Sequence, residues 1–172
     1  MTVSIRQLRD KLCRELAQSE QSAAVHCERE ARRYGAHPPG HVLRAIASHA
    51  REMRAPLSGV IEARQPFGAR VGRAVGEAFS AIRHFAADRV IDAERSYRAT
   101  LLGVRHGLDV ARLLHEVLLQ QQDARGARTC DLLIDQRSQL VVDAEAALRW
   151  FARNPDVALH SSTSIKPQLR LS

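Results

Sequence analysis

Apolar and small residues recur every three or four positions along most of the chain, and this spacing limits the fold more than any other feature. Such spacing places the residues on one face of an α-helix. In the first stretch the series is Ile5, Leu8, Leu12, Leu16, Ala23, Cys27, Ala31 and Tyr34. It predicts a helix over residues 3–34, closed by Gly35 as its C-terminal cap. No stretch shows the sustained alternation of a strand, so we expect an all-α fold.

The same spacing predicts further helices after the first. The second helix covers residues 40–64, with a kink or a break at Pro56 because proline disrupts a helix interior. The third lies within 70–105, and the sequence leaves open whether it ends at His106-Gly107, before a shorter helix, or continues past Gly107. The last helix covers residues 127–152.

These elements predict one domain. We expect a four-helix or five-helix antiparallel bundle over residues 1–153, followed by a polar, flexible tail over 154–172. Between the second and third helices lies a connector that carries Gly68, Gly72 and Gly76 at four-residue spacing. Its glycines allow close backbone approach, and a homo-oligomer would form through this connector.

Composition supports a helical core and argues against several partners. Aromatic residues are only 4% of the chain, so the core is mostly aliphatic, which favours helices over strands. The net charge is +7, but the basic residues are dispersed among carboxylates, which is typical of solvated surfaces. Three widely spaced cysteines without a C-x-x-C indicate a reducing compartment. With neither an apolar leader nor a stretch of membrane-spanning length in the sequence, we expect a cytoplasmic protein.

The sequence lacks the motifs of the common enzyme classes. It contains no glycine-rich phosphate loop, no dinucleotide-binding fingerprint, no zinc-protease helix motif and no nucleophile elbow. The cysteines also lack the spacing of zinc sites. Nucleotide-dependent enzymes and common hydrolases are therefore disfavoured, and we expect a non-catalytic protein.

Polar residues interrupt the apolar helix faces at five positions. They are Glu20, His49, Glu94, Tyr97 and Arg137. Each lies near the middle of its predicted helix, and mid-helix residues of a bundle meet at one level. Buried charges cost several kcal/mol unless they are paired, so these side chains should satisfy one another as a buried polar layer.

The predicted helix order, with carboxylates facing inward, resembles the ferritin-like fold. The pattern Glu94-x-x-Tyr97, followed by Leu101, is similar to the Glu/Tyr-bearing helix of bacterial ferritin-like stress proteins. The resemblance implies a dimetal site with one Glu from each of two helices and a Glu-x-x-His from each of the other two. The chain departs from this pattern, because no histidine, His49 included, has an acidic residue three positions before it. Arg137 at the centre of the last helix would instead form an ion pair with Glu94.

Three functions follow from these observations, in descending order of preference. The first is a non-catalytic ferritin-like bundle without a dimetal centre or other cofactor, which acts structurally or binds a protein partner or a second copy of itself. The second is a metal-binding protein that holds iron or another divalent ion through Glu20, His49, Glu52 and Glu94. The third is a basic bundle that binds DNA or another anion. No membrane partner is expected, and nucleic acid ranks last.

Overall fold

A computed structural model of the protein describes residues 4–62 and 92–160. Within these ranges the chain forms six helices and no strand, which confirms the all-α prediction for them. The helices are α1 (Ile5–Tyr34), α2 (Pro38–Glu52), α3 (Arg54–Glu62), α4 (Ala93–Gln120), α5 (Ala124–Arg153) and α6 (Pro155–Leu159). The glycine-bearing connector with Gly68, Gly72 and Gly76 lies outside the described residues.

Both ends of α1 are closed by side-chain or backbone caps. The Ser4 hydroxyl accepts a hydrogen bond from the Gln7 backbone N–H, and the Gln7 side chain accepts one from the Ser4 N–H. Gly35 follows the last turn with φ of 54°, a left-handed value that favours glycine. The guanidinium of Arg44 in α2 then donates to the Gly35 carbonyl at 2.7 Å. The predicted cap at Gly35 is confirmed.

The predicted break in the second helix is also confirmed, slightly before Pro56. Helix α2 ends at Glu52, Met53 forms a turn, and α3 begins at Arg54. A proline ring clashes with the carbonyl four residues earlier, which for Pro56 is that of Glu52. The proline therefore stands in the first turn of α3, where no helical hydrogen bond needs its missing N–H.

Helix α4 runs without interruption through Gly107, so of the two alternatives left open by the sequence the continuous helix is the one that forms. Gly107 is buried and faces Ser19 of α1. A Cβ atom at this position would overlap the Ser19 hydroxyl and lie 3.2 Å from the Ser19 Cβ. The glycine allows α1 and α4 to approach each other closely, and it does not act as a helix cap.

Gly107→Ala is expected to lower the free energy of unfolding by about 1–3 kcal/mol, because the added Cβ forces α4 away from Ser19. The matched control is Gly59→Ala in α3, where an added Cβ meets nothing within 4 Å. That change should raise stability by about 0.5–1 kcal/mol through helix propensity alone. Urea unfolding followed by circular dichroism measures both. Equal effects of the two substitutions would show that the close approach at Ser19 has no energetic weight.

The long helices surround the core in the order α1, α2, α5, α4, with each in contact with its two neighbours. Helix α3 continues from α2 and packs on α1 and α5. Helices α1 and α4 run in opposite directions, because Tyr34 at the end of α1 bonds the Ala93 carbonyl and Arg9 near its start bonds Gln121. Helix α3 ends beside the start of α1, where Ile61 packs against the core. The chain therefore leaves α3 at one end of the helices and enters α4 at the other.

The core consists of two clusters stacked along the helices. One contains every aromatic residue of the described ranges, namely Tyr34, Tyr97, Trp150 and Phe151, together with aliphatic side chains. The other cluster is aliphatic and lies at the end where α1 begins. The boundary between the clusters falls between Leu16 and Ala23 in α1 and between Leu133 and Val141 in α5.

The short helix α6 lies within the segment predicted to be a tail. Helix α5 ends at Arg153, as predicted from Asn154-Pro155, and α6 then packs on α4 and α5. Ala158 is buried, and the His160 carbonyl accepts a hydrogen bond from the Ala93 N–H at 3.0 Å. Residues 154–160 are therefore held against the core, and the remaining predicted tail lies outside the described residues. Among the described helices, none is both long and apolar enough to cross a membrane.

Candidate functional site, a buried ionic layer

Three of the five predicted polar residues meet at the boundary between the two core clusters. They come from three helices, with Glu20 on α1, His49 on α2 and Arg137 on α5. Their exposed fractions are 4%, 6% and 1%, so all three are buried. We call this group the ionic layer. Its place follows from the helix periodicity, because each residue separates apolar neighbours one turn above and below it.

Arg137 and Glu20 form a two-pronged ion pair. The Arg137 Nη1 donates to Glu20 Oε1 at 3.2 Å, and its Nη2 donates to Oε2 at 2.8 Å. This parallel geometry matches the planar guanidinium to the carboxylate and gives the strongest kind of charged hydrogen bond. Burial raises the pKa of the Glu20 carboxyl, and the charge of Arg137 opposes that rise. The pair thus neutralises two charges that would otherwise be costly in the core.

His49 completes the layer as a hydrogen-bond acceptor. The Arg137 Nε lies 3.1 Å from the His49 Nδ1, and the Arg137 Nη2 lies 2.9 Å from the same atom. A guanidinium can only donate, so Nδ1 must carry a lone pair and the ring is neutral, with its proton on Nε2. That proton is donated to the Gln136 Oε1 at 2.9 Å. Burial lowers the pKa of His49, and the charge of Arg137 lowers it further.

The polar groups of the ionic layer bond one another and Gln136. Gln136 is exposed and links the layer to the surface between α2 and α5. In the described ranges, every buried side-chain nitrogen or oxygen has a hydrogen-bond partner. The lone pairs of Glu20 and His49 point at a cation that the protein supplies itself. This arrangement can join three helices, but it presents no free nucleophile or base.

Glu94 and Tyr97 lie elsewhere, so the predicted Glu94–Arg137 ion pair is not formed. Glu94 stands in the first turn of α4 and pairs with Arg98 at 2.6 Å. Tyr97 is buried in the aromatic cluster, where its hydroxyl donates to the Ala144 carbonyl at 2.9 Å. The reason is the start of the helix. A third helix beginning near residue 70 would place Glu94 at mid-height, but α4 begins at Ala93.

The four residues predicted as alternative metal ligands are not brought together. Glu52 is exposed and accepts a hydrogen bond from the Ser48 hydroxyl at 2.8 Å. Glu94 is bound to Arg98, while Glu20 and His49 both contact Arg137. No group of three or more His, Cys, Asp or Glu residues in the described part of the chain could hold a metal ion.

Two polar residues that bond buried side chains or are buried themselves were not predicted from the sequence. Gln136 precedes Arg137 and is exposed, so periodicity gives no sign that it bonds His49. Glu30 is buried on α1 and bonds the Arg33 guanidinium at 2.6 Å and the Ser96 hydroxyl at 2.8 Å. Its position three residues after Cys27, in line with the apolar face, was an available signal.

Comparisons of the chain with protein-family models, with curated proteins and with solved structures find no match. Any functional inference therefore depends on the residues and contacts described above. The ferritin-like resemblance stays a prediction.

Proposed function

We propose that the chain is a non-catalytic, ferritin-like helical bundle with a structural or protein-interaction role and without a dimetal centre. The observation that carries the proposal is the position of Arg137. It places a permanent cation in the middle of the core and bonds both Glu20 and His49, the two buried members of the alternative metal-ligand set.

The order and direction of the helices support the ferritin-like part of the proposal. Four-helix bundles of this type contain one long crossover connection, which returns the chain from one end of the bundle to the other. Here α3 ends beside Ile61 at one end of the long helices, and α4 begins at Ala93 at the other end. The ring of contacts through α1, α2, α5 and α4 agrees with four helices around one core.

The electrostatics of the layer support the absence of a dimetal centre. A divalent ion bound by Glu20 and His49 would lie within a few ångströms of the guanidinium, since both residues contact it at 2.8–2.9 Å. Two like charges at such a separation repel strongly in a core of low dielectric constant. The arginine thus supplies the positive charge that a metal supplies in the related folds.

Metal content tests the proposal directly. The purified protein is offered Fe(II), Mn(II) and Zn(II) separately without oxygen, then desalted and measured by elemental analysis. We expect background metal for the natural chain, because Arg137 occupies both candidate ligands. One or two ions per chain, lost in a Glu20→Ala, His49→Ala double variant, would contradict the proposal and indicate a metalloprotein. An Asp109→Ala variant, altered at an exposed position outside the four candidate ligands, controls for adventitious surface binding.

A further inference from the structure

His49 is the one member of the ionic layer whose ordinary pKa lies near neutrality. Its Nδ1 accepts hydrogen bonds from two nitrogens of Arg137, at 3.1 and 2.9 Å. These bonds join α2 to α5 inside the core, and the Nε2–H bond to Gln136 joins the same two helices at the surface. These hydrogen bonds between the helices therefore depend on a ring that must stay neutral.

We propose that His49 is an acid-sensitive latch between α2 and α5, which is released when Nδ1 takes up a proton. A protonated Nδ1 is a donor and can no longer accept from the guanidinium. The imidazolium would also face a cation whose nitrogens lie within hydrogen-bond distance. Both effects act on the same contact, so uptake of one proton replaces attraction by repulsion.

The groups around the ring do not compensate this charge. From α5 the ring meets Arg137 and the uncharged Gln136. From α1, Glu20 approaches the same guanidinium, to which both of its oxygens are bonded. On α2 itself Glu52 favours the charged ring, but it is exposed and bonded to Ser48. The lowered pKa of His49 agrees with this surrounding.

The position of His49 along α2 determines where the loosening would act. The residue lies in the last turn of α2, and its carbonyl accepts from the Met53 N–H at the junction with α3. Release of the ring would therefore free the end of α2 next to an existing break in the helix.

The sign of the pH effect follows from the lowered pKa of His49. An unfolded chain binds the proton at its ordinary pKa of about 6.5, whereas the folded chain binds it only at lower pH. The stabilising contribution is thus complete above about pH 6.5 and is lost as the pH falls below it. The loss reaches about tenfold in the folding equilibrium constant per pH unit. The raised pKa of Glu20 has the opposite sign, so the histidine is isolated by comparing variants.

The decisive experiment compares urea unfolding of the full chain between pH 7.5 and 5 with that of His49→Asn. The asparagine Oδ1 can accept from Arg137 in place of Nδ1, and it does not titrate. We expect the folding equilibrium constant of the natural chain to fall more than that of His49→Asn over this range, by a factor that approaches about tenfold per pH unit below pH 6.5. His41→Asn, at an exposed position on the same helix, should behave like the natural chain. Equal pH dependence in the natural chain and His49→Asn would overturn the proposal.

A second variant keeps the test decisive if His49→Asn does not fold. Gln136→Glu changes an exposed residue and places a carboxylate beside Nε2, which should raise the pKa of His49 and flatten the pH dependence. Nitrogen-15 NMR of the histidine ring gives an independent readout. We expect a neutral ring with the proton on Nε2 at pH 7.5. Between pH 7.5 and 5.5 the amide protection factors should fall more near residues 46–53 than in α4. A proton on Nδ1 at pH 7.5, or protection factors near residues 46–53 that are the same at pH 5.5 as at pH 7.5, would exclude the latch.

Discussion

Arg137→Met is expected to lower the free energy of unfolding by about 3–5 kcal/mol, the largest electrostatic effect in the described part of the chain. Methionine fills much of the same space but leaves the Glu20 carboxylate without its two hydrogen bonds in the core. It also removes both donors to the His49 Nδ1. Urea unfolding followed by circular dichroism near pH 7 gives the value.

Adding Glu20→Gln to Arg137→Met should cost much less than the sum of the two single changes, because the second change no longer strands a charge. The coupling energy of this cycle separates the ion pair from simple loss of packing. The exposed pair Arg105–Glu145 is the matched control, with both side chains 45% exposed and 2.6 Å apart. The double-mutant cycle of this exposed pair should give a coupling energy of at most about 1 kcal/mol. Strict additivity of the Glu20→Gln and Arg137→Met effects would show that the interaction between these two residues does not stabilise the fold.

Tyr97→Ala is the second change with a large expected effect, again about 3–5 kcal/mol. Tyr97 is fully buried and packs edge-on against Tyr34, with ring centroids 5.9 Å apart. It also packs in a tilted arrangement against Phe151, at a centroid distance of 5.3 Å. Truncation to alanine leaves a cavity in the middle of the aromatic cluster. Denaturant unfolding, followed both by circular dichroism and by the fluorescence of Trp150, measures the loss.

Two controls separate the ring of Tyr97 from its hydroxyl and from its helix. Tyr97→Phe removes only the hydrogen bond to the Ala144 carbonyl and should cost about 0.5–1.5 kcal/mol. Leu102→Ala changes a side chain on the same helix that is 59% exposed, and it should cost less than about 0.5 kcal/mol. A loss for Tyr97→Ala no larger than for Leu102→Ala would mean that the aromatic cluster does not stabilise this end of the protein.

Periodicity predicted the helix bounds well wherever a glycine or proline had only one structural interpretation. Gly35 follows a complete apolar face and is a cap, and Pro56 interrupts another face and marks a break. Gly107 has two possible structural roles, because a glycine can end a helix and can also allow two helices to pack closely. Only the approach of Ser19 on another helix decides between these, and that contact is not encoded near residue 107.

The candidate site shows the same limit at the level of side-chain pairs. Glu20, His49 and Arg137 were predicted to share a level because α1 and α5 have nearly the predicted bounds, and α2 with α3 covers the predicted second helix. Glu94 was assigned to that level from a helix start more than twenty residues too early, so its partner was also wrong. Partner choice depends on helix rise and rotation, and an error of one turn replaces one neighbour by another.

The ion pair between Glu20 and Arg137 also has a consequence for the order of events during synthesis. The two residues are 117 positions apart, so the carboxylate leaves the ribosome long before its cation. Until then α1 and α2 can associate only by keeping Glu20 in water, because burial of the lone carboxylate would cost several kcal/mol. The nascent chain must therefore hold an apolar face open while more than a hundred residues are added. A chain truncated before residue 137 should be a substrate for chaperones or proteases.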